Sequence, residues 1–193
     1  MFAGKAHPKD DIGFTYVNDM LSSIDSLAKE SKTLRVLMLE NYDTFFGKLL
    51  ASSVDVWLNN PLPPFEASGT SGMKAILNGV LQLSTLDGWV VEAADKNVGW
   101  IFGWQHHGNE VGDEHQLRFR EDSALLYEML EKVITLYYKT NKKGEPDLSS
   151  EWLDKMAHAV AAGSFFNTGR MVADYEKKIW QLQLSESPNS AIL

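Results

Sequence analysis

The sequence contains no cysteine among its 193 residues. That excludes a disulfide framework and any thiolate metal site. Basic residues are also in deficit, 18 Lys and Arg against 26 Asp and Glu, for a formal net charge of -8. A general nucleic-acid binder would usually carry a basic face, so the charge argues against that class, while a local basic pocket for a phosphate remains open. No apolar run is long enough to span a membrane. The opening Met1-Phe2-Ala3-Gly4-Lys5 lacks a signal-peptide hydrophobic region, and the expected setting is cytoplasmic. Internal repeats and low-complexity tracts are missing as well. The apolar fraction of 44% is ordinary for a globular protein and sufficient for a core. The length suits one domain, or one domain with an appendage.

Proline is scarce, 6 in all, yet Pro61, Pro63 and Pro64 crowd into one place. They brace the start of the stretch around which the chain is organised, Asn59 to Gly79, by fixing φ and removing backbone donors. Small residues follow from Ala67 to Gly72, and small side chains let a ligand approach bare backbone N–H groups. A helical pattern, Met73 to Asn78, is then stopped by Gly79. Ser68 or Thr70 is expected to cap that helix, whose start would offer unpaired amides and a positive dipole end. Such a place suits an anion, most often a phosphate. Lys74, about one turn in, can act there as a point charge or as a reactive amine. A glycine- and serine-rich surface turn with a solvated lysine is the plain alternative. Glu66, the hydroxyls, the glycines and Lys74 within so few residues weigh towards a site.

The rest of the chain alternates. Phe2 to Pro8 reads as the end of a buried strand running into a loop, an abrupt start that suggests a fragment of a longer chain. A helix is expected from Asp11 to Lys29, with Val17, Met20, Leu21, Ile24 and Leu27 at helical spacing. Leu34 to Leu39 reads as a central parallel strand. A helix follows from Thr44 to Ala51, then a strand from Val54 to Leu58. Strand–helix–strand order implies parallel βα units, whose ligands bind beyond the carboxyl ends of the strands. Gly4–Pro8, Glu40–Asp43 and Asn59–Lys74 all lie there. Further strands are expected at Val80–Ser84 and Gly99–Gly103, joined through an Asp87-Gly88 turn. Trp104 to Glu114 reads as a loop. Asp122 is expected to cap a helix from Ser123 to Thr140. After an exposed linker, helices are expected near Ser150–Ala162 and Thr168–Gln183, with a frayed tail from Ser185. Residues 1–140 would form the α/β core and 141–193 a set of C-terminal helices.

At Glu66-Ala67-Ser68-Gly69-Thr70-Ser71-Gly72-Met73-Lys74 the sequence resembles the α-glucan phosphorylase family, which includes glycogen, starch and maltodextrin phosphorylases. The resemblance extends to Gly4-Lys5-Ala6-His7-Pro8, Leu39-Glu40-Asn41-Tyr42, Leu77-Asn78-Gly79, Thr85-Leu86-Asp87-Gly88 and Phe166 to Tyr175, nearly the whole chain. It is strongest to the shorter bacterial and archaeal branch. The resemblance implies a Rossmann-like parallel sheet flanked by helices, part of the C-terminal domain of a two-domain GT-B type glycosyltransferase. It implies transfer of a terminal glucosyl unit from an α-1,4-glucan to inorganic phosphate, giving α-glucose 1-phosphate. It also implies pyridoxal 5′-phosphate carried as a Schiff base on Lys74, with the cofactor's phosphate rather than its ring doing the work. Gly69, Thr70 and Ser71 would hold that phosphate, and Tyr42 would lie beside the cofactor. Glu66, Ser68 and Gly69 would hold sugar hydroxyls. No metal is implied, and a homodimer is left open. The family's phosphate-binding lysine and arginine, and its whole N-terminal domain, have no counterpart here, and Asp43 stands where longer members carry an arginine. A fragment of this kind is expected to be inactive alone, because the family's cleft lies between two domains.

Two other classes compete. One is the donor-binding domain of a nucleotide-sugar glycosyltransferase such as a glycogen synthase, which Lys74 after Gly72-Met73 disfavours. The other is a non-catalytic glucan-binding fragment. Among individual residues, His7 reads as a loop histidine. His106, His107 and His115 lack metal-ligand spacing. Asp87 and Glu92 could form a carboxylate pair, though turn and structural roles explain them better. Trp57, Trp89, Trp100 and Trp104 read mainly as core, with Trp89 and Trp104 the ones that could stack on a sugar. Arg170 reads as a structural ion-pair partner.

Overall fold

The computed structural model describes residues 1–103, 113–147 and 150–180. The chain divides into two compact units, Met1–Leu50 and a second that begins at Ala51. The expected loop from Trp104, with His106 and His107, the side chain of His115, and the tail lie outside the described residues.

The first unit holds β1 (Phe2–Ala3), α1 (Asp11–Glu30), β2 (Met38–Leu39) and most of α2 (Thr44–Ser53). β1 and β2 run parallel, with Phe2 opposite Met38 and Ala3 opposite Leu39. Both helices start on an aspartate. The Asp10 carboxylate accepts the Gly13 N–H at 2.8 Å and the Asp43 carboxylate accepts the Phe46 N–H at 2.9 Å, satisfying donors that a helix start leaves free. The expected strand 34–39 contracts to two residues, and Phe2 is 46% exposed rather than buried. A strand reads as central only when both of its edges are paired and both faces covered. Among the described residues β2 pairs with β1 alone, and Leu34 and Leu37 stay exposed. The α1 stripe tells the same story. Val17, Met20 and Ile24 are half-buried, Leu21 and Leu27 exposed, and no α1 residue is fully buried.

The second unit holds β3 (Val56–Asn59), α3 (Thr70–Ile76), β4 (Leu81–Thr85), α4 (Val90–Ala93), β5 (Gly99–Phe102), α5 (Asp113–Tyr137), α6 (Ser150–Phe165) and α7 (Thr168–Tyr175), which passes into a π-helical turn, Glu176–Trp180. Its sheet runs β3-β4-β5, all parallel. β4 is buried at every position, as a central strand covered on both faces should be. α6 packs on α3, β4 and β5, and α5 on β5. The core joins Ile76, Leu81, Leu83, Val90, Trp100, Phe102, Val133, Trp152 and Phe166. This is the α/β architecture of parallel sheets and flanking helices expected above.

Two helix starts differ from expectation. α5 begins at Asp113, so Asp122 is interior rather than a cap. The polar stretch before Asp122 lacks an apolar stripe, but its Glu, Gln, Leu and Arg are good helix formers and none is a breaker. α3 begins at Thr70 on Gly69, which has φ 78° and ψ 44° and offers no side-chain cap, so neither Ser68 nor Thr70 serves as one. Glycine takes that left-handed conformation at little cost. At the far end Gly79, with φ 75°, closes α3 as expected. The Gly79 N–H donates to Ile76 O and that of Val80 to Ala75 O.

Candidate functional site

In the second unit, parallel strands β3 and β4 deliver two loops side by side at their carboxyl ends, where ligands bind in open α/β sheets. One runs from Asn60 into α3. The other is the turn Leu86-Asp87-Gly88. Asp87 joins them. Its carboxylate, in a residue only 7% exposed, accepts the Glu66 N–H at 2.9 Å and the Gly88 N–H at 2.8 Å. The Trp89 N–H donates to Ser68 O at 2.8 Å, and the Thr85 hydroxyl donates to Pro61 O at 2.9 Å. The loop carrying Glu66 and Ser68 is therefore pinned to the sheet edge at three places.

Close approach explains the glycines here. A Cβ on Gly88, already at φ 56°, would lie 2.6 Å from Ser68 O. A Cβ on Gly72 would lie 2.7 Å from Gln82 Oε1 and 2.8 Å from Trp89 Nε1. Both are nearer than a carbon can sit, so a side chain at Gly88 would push against the Ser68 main chain, and one at Gly72 would displace the Gln82 or Trp89 side chain.

The α3 start is polar and open. Among the described residues, no acceptor is bonded to the amides of Gly69, Thr70 or Ser71. The first amide paired across the turn is that of Gly72, which donates to Gly69 O at 3.1 Å. Lys74 is exposed, and its ammonium has neither a hydrogen bond nor an ion pair with any described residue. Its carbonyl accepts from the Asn78 side chain at 2.9 Å. Glu66, Ser68, Gly69 and Ser71 are half-buried and Thr70 is exposed. Of the expected site residues, six thus lie on this loop and helix. Tyr42 belongs to the first unit, half-buried, with its hydroxyl against Gly47. His7 is exposed there, its Nδ1 accepting the Lys9 N–H, a loop histidine as expected.

Three alternatives resolve. Asp87 and Glu92 are each engaged in the turn and structural contacts that explain them better than a carboxylate pair. Asp87 is spent on amides, and Glu92 meets Arg170 at 3.1 Å. Arg170 is the structural ion-pair partner foreseen, and its guanidinium also lies over the Phe165 ring at 3.9 Å. Trp89 is 5% exposed and packs edge-on against Phe166, so it offers no face to a sugar. The loop-pinning role of Asp87 was masked in the sequence by its Gly88 neighbour, which already accounted for it as a turn residue.

The second unit thus carries, at the carboxyl edge of its parallel sheet, a small-residue loop, a helix start whose first amides are unpaired among the described residues, and the exposed Lys74. The family model for carbohydrate phosphorylases matches residues 1–148, and the chain belongs to that family. A glycogen phosphorylase of Aquifex aeolicus is 41% identical over 189 residues, covering 96% of this chain and 25% of that protein. A maltodextrin phosphorylase of Thermococcus litoralis is 37% identical over 189 residues, 97% of this chain and 21% of that one. A glycogen phosphorylase of Mycobacterium tuberculosis is 37% identical over 174 residues, with shares of 90% and 19%. The chain thus spans a quarter or less of the length of these curated relatives.

Proposed function

We propose that the chain is the cofactor-bearing part of the C-terminal domain of an α-1,4-glucan phosphorylase of GT-B type, cytoplasmic, acting on a glucan and inorganic phosphate together with a further domain. One observation carries this reading. Lys74, whose amine has no partner among the described residues, stands on the short helix at whose start the amides of Gly69, Thr70 and Ser71 have no acceptor among the described residues, and the sequence around them resembles that of the phosphorylases. The donor set fits pyridoxal phosphate. Lys74 supplies the amine for covalent attachment, and Gly69, Thr70 and Ser71 supply N–H groups for a phosphate. When bound, the cofactor supplies a phosphate for acid–base chemistry beside the substrate phosphate.

The chain's own residues then orient and hold. Asp87 fixes the Glu66 main chain, which sets where the Glu66 carboxylate can meet a sugar hydroxyl. Trp89 fixes Ser68 through its carbonyl. Groups held in this way cost little to organise when the substrate arrives. The exposed apolar side chains of the first unit, Phe2, Leu34 and Leu37 among them, fit a unit covered by further protein, and the chain alone is expected to show no phosphorolysis.

The test is a cofactor trap. The chain is incubated with pyridoxal phosphate, reduced with borohydride and mapped by peptide mass spectrometry, with Lys74→Ala as control. The expected result is one adduct per chain, on Lys74, lost in the variant. Labelling spread over several lysines and indifferent to Lys74→Ala would refute the cofactor assignment for this chain.

A further inference from the structure

Trp89 stands where three parts of the second unit meet. Its N–H holds Ser68 O at 2.8 Å. Its ring occupies the space that two glycines of the α3 turn leave free. A Cβ on Gly69 would lie 3.3 Å from Trp89 Cδ1 and one on Gly72 2.8 Å from Nε1. From elsewhere the buried Phe166 ring meets the indole edge-on, with centroids 5.0 Å apart and planes at 83°. Phe166 sits at the α6–α7 junction, just before Asn167, which caps α7 by accepting the Arg170 N–H at 2.9 Å. Arg170 covers the rings of Phe165 and Phe166 and pairs with Glu92 of α4, the helix that Trp89 opens.

The turn needs such support. Gly69 and Gly72 have no side chains to pack, the α3 start has no side-chain cap, and glycine loses more conformational freedom on ordering than any other residue. A rigid ring laid along both glycines restricts that freedom, and the ring stays in place only if something holds its other edge.

We propose that Trp89 is a positioning residue for the Lys74 helix, held by Phe166, so that the C-terminal helices set the geometry of the Gly69–Gly72 turn. What the turn binds rests on the reading given under Proposed function. The support of the turn does not. Phosphorylase chemistry is thereby linked to α6 and α7, which contribute none of the expected ligand contacts.

The experiment is residue-resolved hydrogen exchange on the whole chain. The reporters are the Gly72 and Trp89 amides, which bond Gly69 O and Ser68 O, and the reference is the Gln82 amide in β4, which bonds Val98 O. In Phe166→Leu the two reporters are expected to exchange about tenfold faster while Gln82 keeps its protection, a local rather than global opening. Phe166→Tyr, which keeps the ring edge, restores the wild-type rates. Phe165→Leu, at the exposed neighbouring ring, leaves them unchanged. Reporters that stay at the wild-type rate in Phe166→Leu, that move only together with Gln82, or that respond equally to Phe165→Leu overturn the proposal. If Phe166→Leu does not fold, Phe166→Met carries the same comparison. Borohydride-trapped pyridoxal phosphate at Lys74 is the second readout, expected to fall in Phe166→Leu and recover in Phe166→Tyr. A wild-type chain that takes no adduct at Lys74 refutes the cofactor reading, and the exchange rates still decide the role of Trp89.

Discussion

Replacing Asp87 separates a loop anchor from a reacting carboxylate. Its two oxygens take one amide each, Glu66 N–H at 2.9 Å and Gly88 N–H at 2.8 Å, and the residue is 7% exposed. Asp87→Asn keeps the shape but offers one carbonyl oxygen, so one amide must face an NH2 group. Asp87→Ala removes both acceptors. A hydrogen bond to a charged group contributes about 1.5–3 kcal/mol, and a donor stranded away from water costs a similar amount. The amides are only part-buried, so water recovers some of that loss. Asp87→Asn is then expected to cost about 2 kcal/mol and Asp87→Ala about 3–4 kcal/mol. Urea unfolding followed by tryptophan fluorescence measures both, because Trp89, Trp100 and Trp152 all lie in the core of this unit. The trapped adduct at Lys74 should fall in the same order. If both variants stay within about 0.5 kcal/mol of wild type, as surface changes do, the carboxylate is not holding the loop. If Asp87→Asn alone is neutral, the second acceptor is dispensable and the two-bond account fails.

Gly72→Ala places a methyl group against Gln82 Oε1 and Trp89 Nε1; overpacking of this kind costs about 1–3 kcal/mol, and a melting curve at or above wild type would contradict the contact. Lys155 is buried, with its ammonium donating to Asn97 Oδ1 at 2.6 Å. Burial lowers its pKa from 10.5, with Glu151 opposing that shift. The unfolded chain therefore keeps this proton longer, and stability should rise with pH on the approach to 10.5. Tyr137 works the other way above 10.0, since the Asp55 charge beside it raises its pKa and the folded chain then holds the extra proton. The Lys155 contribution is read below that pH, and Lys155→Met should flatten the slope in urea titrations. Arg170→Ala should cost about 1–2 kcal/mol through its cation–π contact and ion pair, with the ion-pair share shrinking in high salt. A loss wholly insensitive to salt would leave only the stacking.

Much of this architecture is legible from pattern alone because it depends on local periodicity. The α1 spacing, the apolar β4 and the Gly79 stop each show within a window of a few residues, and the structure places α1, β4 and the end of α3 accordingly. What was not legible depends on partners distant in sequence. Leu34–Leu39 has the composition of a central strand, but strand length is set by the neighbour available, and β1 pairs with only two of its residues. Asp122 looks like a cap because Asp before an apolar stripe often is one, yet the preceding polar residues extend α5 to Asp113. In the site, the small residues and the lysine announce themselves by composition. Their fixing points do not, because Glu66 and Asp87 meet across 21 positions and Trp89 and Phe166 across a still longer stretch.

That difference divides the candidate site into groups that hold the loop and groups left without partners among the described residues. The amides of Glu66, Gly88 and Trp89 each have an acceptor within the second unit, and so contribute to folding whether or not a ligand is present. The amides of Gly69, Thr70 and Ser71 and the Lys74 ammonium have none among the described residues, and so contribute little to folding; under the proposed function they are the groups a ligand would meet. Substitutions should sort accordingly. Changing a holding group moves stability and adduct together, whereas changing Lys74 moves the adduct alone. An organisation in which the holding groups are all satisfied before the ligand binds is what preorganisation requires.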